Sequence, residues 1–184
     1  LITSIAFGQI PQASTGKVHR LENFKSNYVD SRNIDVWLPE GYSGAQKYAV
    51  LYMHDGQMLY DAATTWNKQS WEVDEVAGEL LFKGKTKPFI VVGIWNNGQK
   101  RHPEYFPQKP YESLSLTQKD SITAQLQKAG RTKEIFQPIS DLYLKFLVTE
   151  LKPYIDSHFA TLTNSENTFI AGSSMGGLIS MYAI

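Results

Sequence analysis

Hydrophobic residues in this chain follow three patterns, and each predicts a different element. Ile34, Val36 and Leu38 recur at period two among polar neighbours, so Arg32–Leu38 is expected to be a strand with one covered face. Residues 18–24 are expected to form a second edge-like strand beside it, and Pro39-Glu40-Gly41-Tyr42 ends the pair. Residues 48–53 and 89–94 are instead continuous apolar runs, which suit strands covered on both faces in a parallel sheet. Between them Val73, Val76, Ala77, Leu80 and Leu81 make one stripe at helical spacing, ending near Gly84, so the three segments read as a βαβ unit. Residues 95–137 lack such repeats, hold several prolines and many polar residues, and predict a long loop with one short helix. Ser140-Asp141 is an N-cap signal for a helix carrying Leu144, Leu147, Val148, Leu151 and Ile155, with Pro153 expected to kink or tighten its last turn. Thr168-Phe169-Ile170-Ala171 predicts a short buried strand running into Gly172.

These elements, with no internal repeat, describe one α/β domain over 18–184. The Pro-, Ser-, Thr- and Gly-rich segment 9–17 reads as a linker leading into it. Residues 1–8, LITSIAFG, are apolar and end in small residues, the pattern of a secretory signal peptide remnant, so a secreted or periplasmic location is expected; a short first strand is the alternative. No stretch approaches the roughly 20 apolar residues of a membrane span.

Charge and cysteine content narrow the chemistry. With 18 Lys plus Arg against 18 Asp plus Glu and no basic cluster, neither nucleic acid nor an anionic membrane is expected as the main partner. There is no cysteine, so disulfide scaffolds, thiolate metal sites and cysteine nucleophiles are excluded for this chain.

The segment Gly172-Ser173-Ser174-Met175-Gly176 matches Gly-x-Ser-x-Gly, with a strand before it and a helix-like run after it. That is the setting of a nucleophile elbow: Ser174 on a sharp turn with its Oγ clear of the sheet, and Gly172 and Gly176 where side chains would collide. An ordinary Gly-rich turn is the alternative. His54-Asp55-Gly56-Gln57 follows the 48–53 strand, where such a fold places one oxyanion donor, so the donors are expected to be the backbone amides of Gln57, or of Gly56, and Met175. His54 and Asp55 read more readily as groups fixing the strand end than as catalysts, since a triad histidine follows the nucleophile in this fold.

Segments 32–42 (RNIDVWLPEGY), 48–57 (YAVLYMHDGQ), 88–94, 101–107 with its Glu104-Tyr105, 147–155 (LVTELKPYI) and 170–178 (IAGSSMGGL) together resemble the putative esterase family. That family is related to esterase D and includes feruloyl and acetyl-xylan esterases, S-formylglutathione hydrolases, enterochelin esterases and mycolyltransferases. The resemblance implies an α/β-hydrolase fold, a mostly parallel sheet flanked by helices, with Ser174 as nucleophile and carboxylic ester hydrolysis needing neither metal nor cofactor. Members carry an acid and a histidine well beyond the serine, whereas here His19, His54, His102 and His158 all precede Ser174. The triad acid and histidine are therefore expected to lie outside this chain, with the fold incomplete on its C-terminal side.

Trp66, Asn67 and Trp71, and Trp95, Asn97 and Arg101 after the second apolar strand, are candidates to line a substrate cleft, with packing and turn formation as the equal alternative. Arg101 and Glu104 are expected to form a surface ion pair. Asp74-Glu75 suits the dipole of its helix better than a metal. The function expected is a serine esterase acting on acyl esters of polysaccharide or siderophore. An acyltransferase of the same fold and a non-catalytic binding module are the alternatives.

Overall fold

The computed structural model describes residues 9–184, so the reading of residues 1–8 lies outside the described residues. Five strands, β1 (Lys17–Phe24), β2 (Arg32–Leu38), β3 (Ala49–His54), β4 (Phe89–Ile94) and β5 (Thr168–Ala171), form one sheet in the order β1-β2-β4-β3-β5. β1 and β2 are antiparallel, as are β2 and β4, while β4, β3 and β5 run parallel. β2 is an inner strand rather than an edge strand, which is why Asp35 and Trp37 between its alternating aliphatics are also fully buried. β5 is the end strand of the described sheet, and Phe169 on it is 46% exposed, so this segment is less buried than its composition suggests.

The two apolar runs behave as strands covered on both sides. Val50 and Tyr52 of β3 face the same layer as Ile34, Val36, Ile90, Val92 and Ile94, and Leu51, Met53 and Val91 face the opposite layer with Trp37, Leu59 and Tyr60. Burying each large aliphatic side chain contributes about 1.5–3 kcal/mol, which makes this double-sided packing the main support of the sheet.

One layer holds α1 (Val73–Phe82), the crossover between β3 and β4. Its inward face carries Val73, Asp74, Ala77 and Leu81, while Val76 and Leu80 are exposed. The helix is rotated from the predicted stripe because the Asp74 carboxylate turns inward to accept the Ser14 N–H at 2.6 Å. Segment 9–16 thus lies against the domain, and Thr15 adds a carbonyl acceptor for the Trp37 indole at 2.7 Å.

The other layer is built from residues 101–158. The predicted long loop is largely helical: α2 (Arg101–Tyr105), α3 (Gln108–Glu112) and α4 (Leu116–Lys128) occupy it. α4 opens with a capping box between Ser115 and Gln118. α5 (Ser140–Phe146) passes through a π turn (Leu147–Leu151) into α6 (Lys152–His158). Pro153 lacks an N–H and its ring collides with the carbonyl four residues earlier, so the widened turn ahead of it is the expected accommodation. The helix buries Tyr143, Phe146, Leu147, Leu151 and Ile155, whereas Val148 is exposed, and Ser140 lies inside the first turn without capping it. α7 (Met175–Tyr182) follows β5 and buries Ile179 in this layer.

Candidate active site

The parallel strands β3, β4 and β5 end at His54, Ile94 and Ala171, so the segments after them, 55–58, 95–101 and 172–175, meet at one edge of the sheet. In α/β folds this carboxyl edge is where sites are built.

After β5 the chain reverses sharply into α7. Ser174 sits at φ 56°, ψ −118°, a positive-φ backbone that a non-glycine residue adopts only at a cost of about 1–3 kcal/mol. The turn closes through the Gly176 N–H to the Ser173 carbonyl at 2.8 Å. A Cβ on Gly172 would stand 2.5 Å from the carbonyl carbon of Gly176, so strand and helix approach too closely for any side chain. Ser174 is exposed, and its carbonyl accepts the Leu178 N–H at 3.1 Å. Met175 is the first residue of α7, so its amide is among those with no partner inside the helix.

After β3, Asp55 adopts a left-handed conformation, φ 60° and ψ 43°, and begins a 3₁₀ turn at Gly56–Met58. A Cβ on Gly56 would come within 2.5 Å of the Gly93 backbone on β4. The Gln57 side chain accepts the Asn96 N–H at 3.1 Å, and the Asp55 N–H donates to the Tyr105 hydroxyl at 3.4 Å. The Asp55 carboxylate receives Arg101 twice, at 2.7 and 2.7 Å, and the Asn96 amide at 2.7 Å. One of its oxygens would lie 3.4 Å from a Cβ built on Gly176, so it abuts the first turn of α7.

His54 is fully buried beneath this edge. Its Nδ1 shares a hydrogen bond with the Tyr143 hydroxyl at 2.8 Å, Tyr105 packs against its ring, and Nε2 has no partner among the described residues. Burial pulls its pKa down to about 4, against a smaller opposing pull from Asp55, so the ring is neutral at physiological pH. Among the described residues no side chain hydrogen-bonds Ser174, and His19, His102 and His158 lie on β1, α2 and α6.

Each of the three cleft candidates after β4 is bonded to a carboxylate of the fold. The Trp95 indole N–H donates to Asp35 at 2.8 Å with the Arg20 guanidinium 4.7 Å from its ring, Asn97 donates to Asp30 at 2.9 Å, and Arg101 holds Asp55. Trp71 packs into the α1 layer, and Trp66 is 84% exposed. The expected Arg101–Glu104 surface pair does not form, because the short helix α2 sends the two side chains to different partners. Glu104 is paired with Arg32 in a bidentate arrangement at 2.6 and 2.8 Å, with side chains 0% and 2% exposed. Sequence reasoning missed this pair, along with Tyr105 and Tyr143; nothing in the local spacing signals partners 72 positions apart. Asp74 and Glu75 both bind Ser14, and among the described residues no group of three or more His, Cys, Asp or Glu is placed to hold a metal ion.

The same arrangement of sheet and helices occurs in solved structures. The ferulic acid esterase AmCE1/Fae1A of Anaeromyces mucronatus, solved with ferulic acid, superposes with a TM-score of 0.58 at 23% identity, covering 93% of this chain and 53% of its own. An IroE-like serine hydrolase of Shewanella oneidensis gives a TM-score of 0.54 at 25% identity, covering 91% of this chain and 45% of its own. An endo-1,4-beta-xylanase/feruloyl esterase of Xylanibacter ruminicola is 27% identical over 177 residues, 89% of this chain and 19% of that protein. The chain thus spans about half the length of the two solved relatives. The family model described as Putative esterase matches residues 26–184, and with the α/β-hydrolase fold and the strained Ser174 turn already in place, the chain belongs to that family.

Proposed function

We propose that this chain carries the nucleophile and oxyanion hole of a serine carboxylic ester hydrolase acting on acyl esters, with hydroxycinnamoyl esters of plant polysaccharide as the first substrate class. The single observation that carries the reading is the positive-φ conformation of an exposed Ser174 between glycines at the carboxyl edge of the sheet. A turn that costs free energy persists where presenting the side chain has a use. Ser174 Oγ attacks the ester carbonyl carbon while a general base takes its proton, and the tetrahedral oxyanion receives the backbone N–H groups of Gln57 and Met175. Collapse expels the alcohol and leaves an acyl group on Ser174, which water then removes. The first substrate class comes from the relatives, a xylanase/feruloyl esterase and a ferulic acid esterase, and the resemblance to enterochelin esterases makes siderophore esters the second class to assay. A polysaccharide substrate is met outside the cytoplasm, which fits a secreted or periplasmic enzyme.

The test is hydrolysis of methyl ferulate and feruloylated xylan oligosaccharides by the full-length protein. Turnover should fall at least about 10³-fold in Ser174→Ala and remain near wild type in Ser173→Ala. Equal turnover by wild type and Ser174→Ala would overturn the reading.

A further inference from the structure

The Asp55 carboxylate is a junction of three segments. It sits at the start of the turn that carries Gln57, its Oδ2 abuts the first turn of α7 at Gly176, and its oxygens are held by Arg101 at the start of α2 and by Asn96 in the loop after β4. Asp55 is 2% exposed and sits in the left-handed region, a conformation that Asp tolerates but does not prefer. Arg101 spends two N–H groups on this one carboxylate in a fork-to-fork arrangement, which fixes direction as well as distance. Its guanidinium also lies 5.2 Å from the ring of Tyr105, whose hydroxyl accepts the Asp55 N–H. The side chain is thus braced on one side by an aromatic ring and committed on the other to Asp55, rather than directed at solvent.

We propose that Arg101 is a positioning residue for ester hydrolysis: by clamping Asp55 it holds the Asp55-Gly56-Gln57 turn against α7, so that the Gln57 and Met175 amides stay aimed at one point. The inference rests on the hydrolase reading above. Oxyanion donors act by being preorganised, since a donor displaced by a fraction of an ångström still meets the ground-state carbonyl but serves the transition state poorly. Loosening the clamp therefore lowers kcat and leaves KM nearly unchanged. A residue that instead held the substrate would show the reverse.

The experiment compares Arg101→Gln and Arg101→Lys with wild type in the full-length protein. It measures kcat and KM for methyl ferulate and Kd for phenylboronic acid, a probe whose serine adduct resembles the tetrahedral intermediate. Loss of a whole oxyanion donor costs about 10²–10³ in kcat, so a displaced donor in R101Q should lower kcat about 10- to 100-fold, with KM within about threefold. Boronate affinity should weaken in step with kcat. R101K keeps a cation beside Asp55 without the fork and should fall between the two, which also covers the case in which R101Q folds poorly. Unchanged kcat in the folded variants, a rise in KM at constant kcat, or a kcat loss without a loss of boronate affinity would each overturn the proposal. Wild-type protein without Ser174-dependent turnover would remove the hydrolase reading and this proposal together, whereas wild-type turnover with unaltered variants removes this proposal alone.

Discussion

Arg32→Met should be among the most damaging single changes in this fold. Arg32 and Glu104 form a buried bidentate pair, and the guanidinium lies 5.4 Å from the ring of Tyr143, the residue that hydrogen-bonds His54. Removing only the arginine leaves a carboxylate that is 0% exposed without its counter-charge, and breaking a buried pair in this way costs about 3–5 kcal/mol. The unfolding entropy of a chain of 184 residues is about 0.4 kcal/mol/K near 60 °C, so the loss corresponds to a Tm about 8–13 °C lower. Arg32→Met/Glu104→Met should recover most of the stability, because two apolar side chains of similar volume leave no orphan charge. Thermal denaturation of the three proteins reads both effects. A Tm within about 2 °C of wild type for R32M, or a double variant no better than the single, would refute the reasoning.

Gly172→Ala places a methyl group within 2.5 Å of the Gly176 backbone, so strand and helix must separate; labelling of the full-length protein by a fluorophosphonate should slow at least about tenfold, read by gel fluorescence against Ser173→Ala as control. His54 titrates near 4 when folded and near 6.5 when unfolded, so its contribution to stability is present above the unfolded value and lost as pH falls through the folded one. Between pH 7.5 and 5 this amounts to about 2 kcal/mol, and His54→Asn, which keeps a partner for Tyr143, should remove that part of the pH dependence in urea denaturation.

The elements legible in the sequence are those whose signal is local. Unbroken apolar runs marked β3 and β4 because a strand covered on both faces needs no alternation, and Gly172 and Gly176 marked the elbow because the spacing itself states the steric demand. α2 and α3 were missed because five-residue helices span too little chain for a periodic stripe; the capping box of Ser115 and Gln118 was a visible signal for α4 that its polar composition masked. The rotation of α1 depended on Ser14, 60 positions from Asp74, and the Arg101–Asp55 clamp joins residues 46 apart. Such pairings are settled by how the layers stack, and no run of neighbouring residues encodes them.

The most direct test of the central claim is the site of covalent capture in the full-length protein. After treatment with a fluorophosphonate, peptide mass spectrometry should locate one adduct, on Ser174, and Ser174→Ala should abolish it while Ser173→Ala leaves it in place. An adduct on Ser173 or another residue, or labelling that persists in S174A, would contradict the assignment of Ser174 as the nucleophile.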